Sequence, residues 1–238
     1  MMTIKRLTII LYYLTTVSLG LAACNSDDGD KNGTSSPSHE PRIPANAVQL
    51  TTTNAQTIKS LMLLVQEPLA GAADGNPEKI AFGSCVQSGG DDFSTKDAGT
   101  AKYTYTNCTS SGFYPYTVNG NITFSFEETS LTLTDHYILS GDVTLTENND
   151  TLTITDIYVV VHNQFFETTV TISFAVSSQQ KGGFIVKTSK SLTSATSTAF
   201  IDSGELVVQG AGNSKIVYDV GTDKMMLDNG DGVLTPVN

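Results

Sequence analysis

"NGNITFSF", Asn119 to Phe126, is the stretch whose reading decides the fold. Ile122, Phe124 and Phe126 alternate with Thr123 and Ser125, a period of two that puts apolar side chains on one face of a strand and hydroxyls on the other. The same alternation recurs at Leu131 and Leu133, Val143 and Leu145, Leu152 and Ile154, and from Val170 through Ile172 and Phe174 to Val176. Threonine supplies most of the wet positions, as suits a half-buried pleated surface. Between these runs stand "VNGN", "ENND", "QQKGG", "QGAGN" and "DVGTD", each read as a hairpin or turn. No helical segment intervenes after Lys79, so parallel crossovers lack material and an antiparallel meander follows.

Ahead of the strands, "VQLTTTNAQTIKSLMLLVQEPL" (48–69) reads as a short strand and one helix. Asn54 stands where an N-cap belongs. Ile58, Leu61, Met62, Val65 and Leu69 recur at helical spacing, and Pro68 and Gly71 end the run. The stripe predicts a core face. Two stretches, "GFYPY" (112–116) and "DIYVVVHNQFF" (156–166), carry apolar residues on both faces and need cover twice, or line a hollow. One helix cannot cover so long a sheet. The expected fold class is therefore mainly β: a curled antiparallel meander, as half-barrel, barrel or sandwich, with the N-terminal amphipathic helix packed on it. If the curl encloses a hollow, Ile157, Val159, Val161 and Phe165 line it.

The N-terminus carries a different message. Lys5 and Arg6, the run "LTIILYYLTTVSLGLAA" and Cys24 follow the order of a bacterial export signal. The run is short and threonine-bearing for a membrane span of roughly 20 apolar residues. Leu21-Ala22-Ala23-Cys24 resembles the lipobox of bacterial lipoproteins. The resemblance implies cleavage before Cys24, diacylglycerol on its sulfur, an acylated new amine, and handling by the lipoprotein processing and sorting machinery. Residues 1–23 are then the signal, 24–45 the lipidated cysteine and a disordered Ser/Asp/Asn/Pro-rich tether, and 46–238 a single β-rich domain. Asn25 after the cysteine implies the outer membrane in the enteric sorting pattern, facing periplasm or cell surface. Asp27, Asp28 and Asp30 resemble the acidic surface-export signal of some lipoproteins.

The formal charge of −11 grows more negative once Lys5 and Arg6 are lost. An acidic body repels phosphate backbones, so nucleic acid is not the expected partner and membrane attachment comes from acyl chains. Two cysteines then remain for an oxidising compartment, Cys85 and Cys108, and a disulfide between them is expected.

Signals for chemistry are sparse. His136 and His162 lie in strand-like sequence and could meet across neighbouring strands, but isolated strand histidines usually serve structure. No nucleophile elbow, zinc-protease motif or phosphate loop is present, and no cofactor or metal site is expected. "LDNGDGV" lacks the first ligand of a calcium loop, since Leu227 stands there. The Asn-x-Ser/Thr matches at Asn32, Asn107, Asn121 and Asn149 are ordinary in a threonine-rich chain. Without tryptophan, a sugar platform would draw on Tyr103, Tyr105, Phe113, Tyr114 and Tyr116, which serve equally as core.

The mature part, through "YTNC", "NGNITFSF", "GELVVQGAGNSKIVYDV" and "LDNGDGV", resembles β-rich outer-membrane lipoproteins without assigned activity. A curled sheet with a helix is also similar to the lipoprotein-carrier half-barrels, by fold analogy alone. The expectation is a lipid-anchored, non-catalytic envelope domain that binds an apolar ligand or supports envelope assembly. A surface module for protein or glycan is the alternative, and an enzyme the third choice.

Overall fold

The computed structural model describes residues 39–71, 85, 90–97, 100–109, 116–127, 135–147, 150–163, 167–195 and 201–237. The signal region, Cys24, most of the tether, "GFYPY" up to Pro115, Leu131, Leu133 and Phe165 lie outside them. Helix α1 spans Ala55–Gly71 and is followed by β1 (Gly90–Asp97), β2 (Thr100–Thr109), β3 (Thr117–Glu127), β4 (Asp135–Glu147), β5 (Asp150–Asn163) and β6 (Glu167–Ser178). Then come β7 (Gly182–Ala195), β8 (Ser203–Gln209), β9 (Lys215–Asp219), β10 (Lys224–Asp228) and β11 (Thr235–Val237). Each strand pairs antiparallel with the next, in one sheet whose order is the order of the sequence. The meander is open: β1 and β11 are its edges.

Alternation assigns the two faces. Ile122 and Phe124 on β3, Tyr137 and Leu139 on β4, Phe174 and Val176 on β6, Leu206 and Val208 on β8 are buried, and their Thr and Ser neighbours lie on the other face. The apolar inner face is eleven strands wide, about 50 Å at the usual strand spacing. One 17-residue helix is about 25 Å long and 10 Å across. The helix covers a minor part, so the sheet must bury its own inner face by curling. The outcome is one contiguous core that joins Ile58, Leu61, Met62 and Val65 of α1 to strands β2 through β10.

The curl has a local cause. Asn107 on β2 and Asp156 on β5 take positive φ values of 48° and 55° and sit where a ladder skips a residue, between Tyr105 and Cys108 against β3 and between Ile154 and Ile157 against β4. These are β-bulges, which bend a strand and tighten its twist. Each leaves a backbone N–H without its ladder partner, and the opposite strand supplies one: Asn119 Oδ1 accepts from Asn107 N at 2.8 Å, and Asp142 Oδ1 from Asp156 N at 2.9 Å. A third irregularity, between Val170 and Ser173, is met by Thr188 Oγ1, which accepts from Ile172 N at 2.8 Å.

Between the first two bulges lie Gly120 and Gly141. A Cβ on Gly120 would stand 2.3 Å from Asp142 O, and one on Gly141 2.1 Å from Asn121 O. The two strands therefore approach more closely than any side-chain-bearing residue permits. "VNGN" is thus not a turn, as its composition predicts, but the middle of β3 at the bend. The other four turn readings fall between strands.

Residues 39–48 strap the sheet from outside. Ser173 Oγ donates to His39 O at 3.1 Å, Arg42 N donates to Asp156 Oδ2 at 3.1 Å, and the His39 ring packs on Tyr158 at 5.2 Å between centroids. Asn46 then spans Ser177 and Ser178, Ala47 bridges Gly183, and Ala211 N donates to Val48 O. Contacts to the sheet are thus present at His39 and Arg42, within the stretch that composition assigns to the tether. The strap also supplies the second cover for β5, since Tyr158 is on the outer face. At the start of α1, Asn54 O accepts the first helical bond from Ile58 N, while its amide turns back to Thr51 N and Gln49 O instead of capping forward.

Candidate functional site

Of the residues expected to line a hollow, Ile157, Val159 and Val161 belong to the core cluster, and Phe165 lies outside the described residues. Ile157 is 1% exposed, and Val159 and Val161 are 0%. Two apolar runs on β5, Leu152–Ile154 and Ile157–Val161, are out of phase in sequence, and the bulge at Asp156 turns both inward.

A concavity among the described residues lies on the other side. It is a shallow depression of about 330 Å³ on the outer face, lined by Asn119, Asn121, Asp142, Thr144 and Thr153 beside Gly120. It exists because the glycine pair and the bulges bend the sheet there. Its polar groups are partly engaged: Asn119 and Asp142 hold the bulges, and Thr104 Oγ1 donates to Asn121 Oδ1 at 2.9 Å. Thr144 and Thr153 are direct partners on β4 and β5 and leave a hydroxylated floor.

Cys85 and Cys108 are joined, with sulfurs 1.99 Å and Cα atoms 5.2 Å apart across 23 positions of sequence. Cys108 is wholly buried, so this pair is part of the core. Tyr103 and Tyr105 are core residues as well, at 8% and 3% exposure, which removes them from any sugar platform. Tyr116 is half-buried, and burial followed by the Glu147 charge raises its phenol above the ordinary value. Phe113 and Tyr114 lie outside the described residues.

The calcium-like turn is closed on itself. Asp228 Oδ1 accepts from Gly230 N at 2.8 Å and Gly232 N at 2.9 Å, while Lys215 Nζ stands 3.6 Å from Oδ2. These backbone bonds, the Gly230 one first, hold the carboxyl below the usual aspartate range despite its burial. Asp231 caps Val233 N in the same manner. The carboxylates organise a turn between β10 and β11.

His136 and His162 do meet in register: they are direct partners on β4 and β5, and Glu127 of β3 is the partner of His136 on its other side. Among the described side chains, no three His, Cys, Asp or Glu groups gather to hold a metal ion. Among the described residues, no helix is long and apolar enough to cross a membrane. Comparison with protein-family models, with curated proteins and with solved structures finds no match to this chain.

Proposed function

We propose that this protein is a lipid-anchored lipoprotein of the bacterial outer membrane, held by acyl chains on Cys24, whose β domain is a non-catalytic interaction module. Of the readings open from sequence, binding in an apolar hollow, binding on the surface and, third, catalysis, the burial of the expected hollow-lining side chains that are described favours the surface. That single observation carries the choice: Ile157, Val159 and Val161 are spent on the core. The polar outer face, with its depression between β3, β4 and β5, is the surface on offer. A protein partner suits it better than a glycan, because Tyr103 and Tyr105 face inward and Tyr158 is stacked under His39. Support for envelope assembly is the biological form that such a module takes.

Two experiments test this. Organic extraction of the purified protein, with titration by an environment-sensitive fatty-acid probe, should find no stoichiometric apolar ligand; saturable binding at one per chain would return the hollow reading to first place. A photo-crosslinking side chain at Thr153 should give a discrete adduct in intact cells that protease removes and glycosidase does not. An adduct lost to glycosidase would make the partner a glycan, and no adduct at Thr153 or Thr144 would remove the depression from consideration.

A further inference from the structure

We propose that the outer face of β8–β11 lies on the lipid surface that holds Cys24, which rests on the protein's being a lipid-anchored lipoprotein. Register draws one row of direct partners across the outer face, and directly paired residues share a face. The row begins with Tyr158, Ser173 and Lys187 on β5, β6 and β7. Residues 39 and 40 are seated on these three: the His39 ring packs on Tyr158, Ser173 Oγ donates to His39 O at 3.1 Å, and Lys187 Nζ donates to Glu40 Oε1 at 3.2 Å. It continues through Val207, Val217, Met226 and Pro236 on β8 to β11. Val208, Tyr218 and Leu227, next to them in sequence, are buried, which puts this apolar line on the outer side, half-buried at Val207, Val217 and Met226 and exposed at Pro236. Val233 and Leu234, at 60% and 42% exposure, lead into β11.

Two observations name the occupant. The first is the point from which the chain runs back to Cys24: His39 sits on the row itself, on the face that carries the apolar line. The fifteen residues from Cys24 to Ser38 have a flexible reach of about 20 Å. Ser173 and Met226 are four strand spacings apart, about 19 Å. Acyl chains on Cys24 therefore keep the line within reach of the headgroups. The second observation is charge. Strands β3, β4 and β5 carry six acids and neither lysine nor arginine, whereas β7 to β10 carry four lysines against three acids. In a chain of net charge −11, the apolar line thus lies where lysines outnumber acids. Anionic headgroups repel the first group of strands and accept the second. Lysine stems lie along apolar surface and put their ammonium groups among the headgroups, so valine, methionine and lysine together suit an interfacial contact. The depression between β3 and β5 belongs to the acidic strands and is left to a protein partner.

Photolabelling of the unaltered protein tests this. The acylated protein purified from membranes is reconstituted in phosphatidylethanolamine–phosphatidylglycerol vesicles containing a lipid with a diazirine near the headgroup end of its acyl chain, then floated, irradiated and digested. Lipid adducts should appear on residues 207–237 as well as on the N-terminal peptide that bears Cys24, and not on β3, β4 or β5. Val217→Asp/Met226→Asp should float as before, because its acyl chains are intact, while its adducts on residues 207–237 fall about tenfold, since carboxylates are disfavoured in hydrocarbon. The map of the unaltered protein does not depend on that variant's folding. Adducts confined to the N-terminal peptide, or equally abundant on β3 to β5, would overturn the proposal and leave the anchor standing. A lysine-reactive crosslink joining two chains through Lys215 or Lys224, with residues 207–237 free of lipid, would assign the apolar line to a second copy instead. Protein that neither floats nor takes label would overturn the anchor and this surface together.

Discussion

Asp228 is nearly buried, yet it stays charged because two backbone N–H groups point at one of its oxygens. Its carboxyl titrates below the unfolded value of about 3.9. A depressed folded value contributes stability that is complete above the unfolded value and is lost as the pH falls through the folded one. Asp228→Asn should therefore lower the melting temperature at pH 7. It should also reduce the loss of melting temperature on acidification below about pH 4, and parallel curves for the two proteins would rule the turn out as an acid-labile point. Gly120 shows a harder constraint. With φ at 131° and backbone atoms of Asp142 and Val143 within 2.7 Å of a built Cβ, neither conformation nor space admits a side chain. Gly120→Ala should cost about 2–4 kcal/mol in urea unfolding. Gly212→Ala is the comparison, since φ there is 63° but the nearest atom is 3.9 Å away; strain alone should cost about 1 kcal/mol. Equal costs would mean that conformation, not strand approach, selects glycine at position 120.

Bulges at Asn107 and Asp156 are built alike: a polar residue at positive φ, its N–H met by the side chain opposite. Both bonds are exposed, so water can replace the lost acceptor and an alanine at Asn119 or Asp142 should cost only about 1 kcal/mol. The sharper readout is local: amide exchange at Asn107 should accelerate in Asn119→Ala and at Asp156 in Asp142→Ala, with each amide unaffected by the other change. Exchange unchanged at both would mean the ladder, not the side chain, holds the bulge. These devices explain what sequence could and could not disclose. Alternation at Ile122–Phe124 and Val170–Val176 names strands and their buried face, because burial acts on side chains one by one. A bulge acts on the backbone, and Asp156 looks like any polar residue on a wet face. Only the phase change from Ile154 to Ile157 betrays it. Gly120 misleads because Asn-Gly satisfies a turn and a close strand approach equally well. Residues 39–45 read as tether because proline and polar residues say nothing of where they dock. The meeting of His136 with His162 was open for the same reason: register over two long strands depends on the bulge between them.

An open sheet must protect its edges, and the two edges here differ. β11 is three residues long and contains Pro236, which removes a donor, so it offers little to a foreign strand. β1, "GDDFSTKD", spans eight residues, and β2 is its only sheet partner among the described residues. The disulfide compensates. Cys85 precedes β1 and Cys108 lies in β2, so the bond closes a loop that contains the whole edge strand, and Cys108 anchors that loop in the core. Loop closure over 23 positions contributes about 3 kcal/mol through the unfolded chain. Replacing both cysteines by serine should thus lower global stability by about 2–5 kcal/mol. It should also raise amide exchange in β1 before any other strand, while β11 exchanges as before. Membrane attachment should survive, because the proposed anchor at Cys24 belongs to a separate part of the chain: the double serine variant should be processed and fractionate with the outer membrane, whereas Cys24→Ala should remain an unprocessed precursor with the domain's melting temperature intact. Exchange that rises evenly over all strands would assign the disulfide to the core as a whole, and a mature-sized Cys24→Ala protein would remove the lipid anchor.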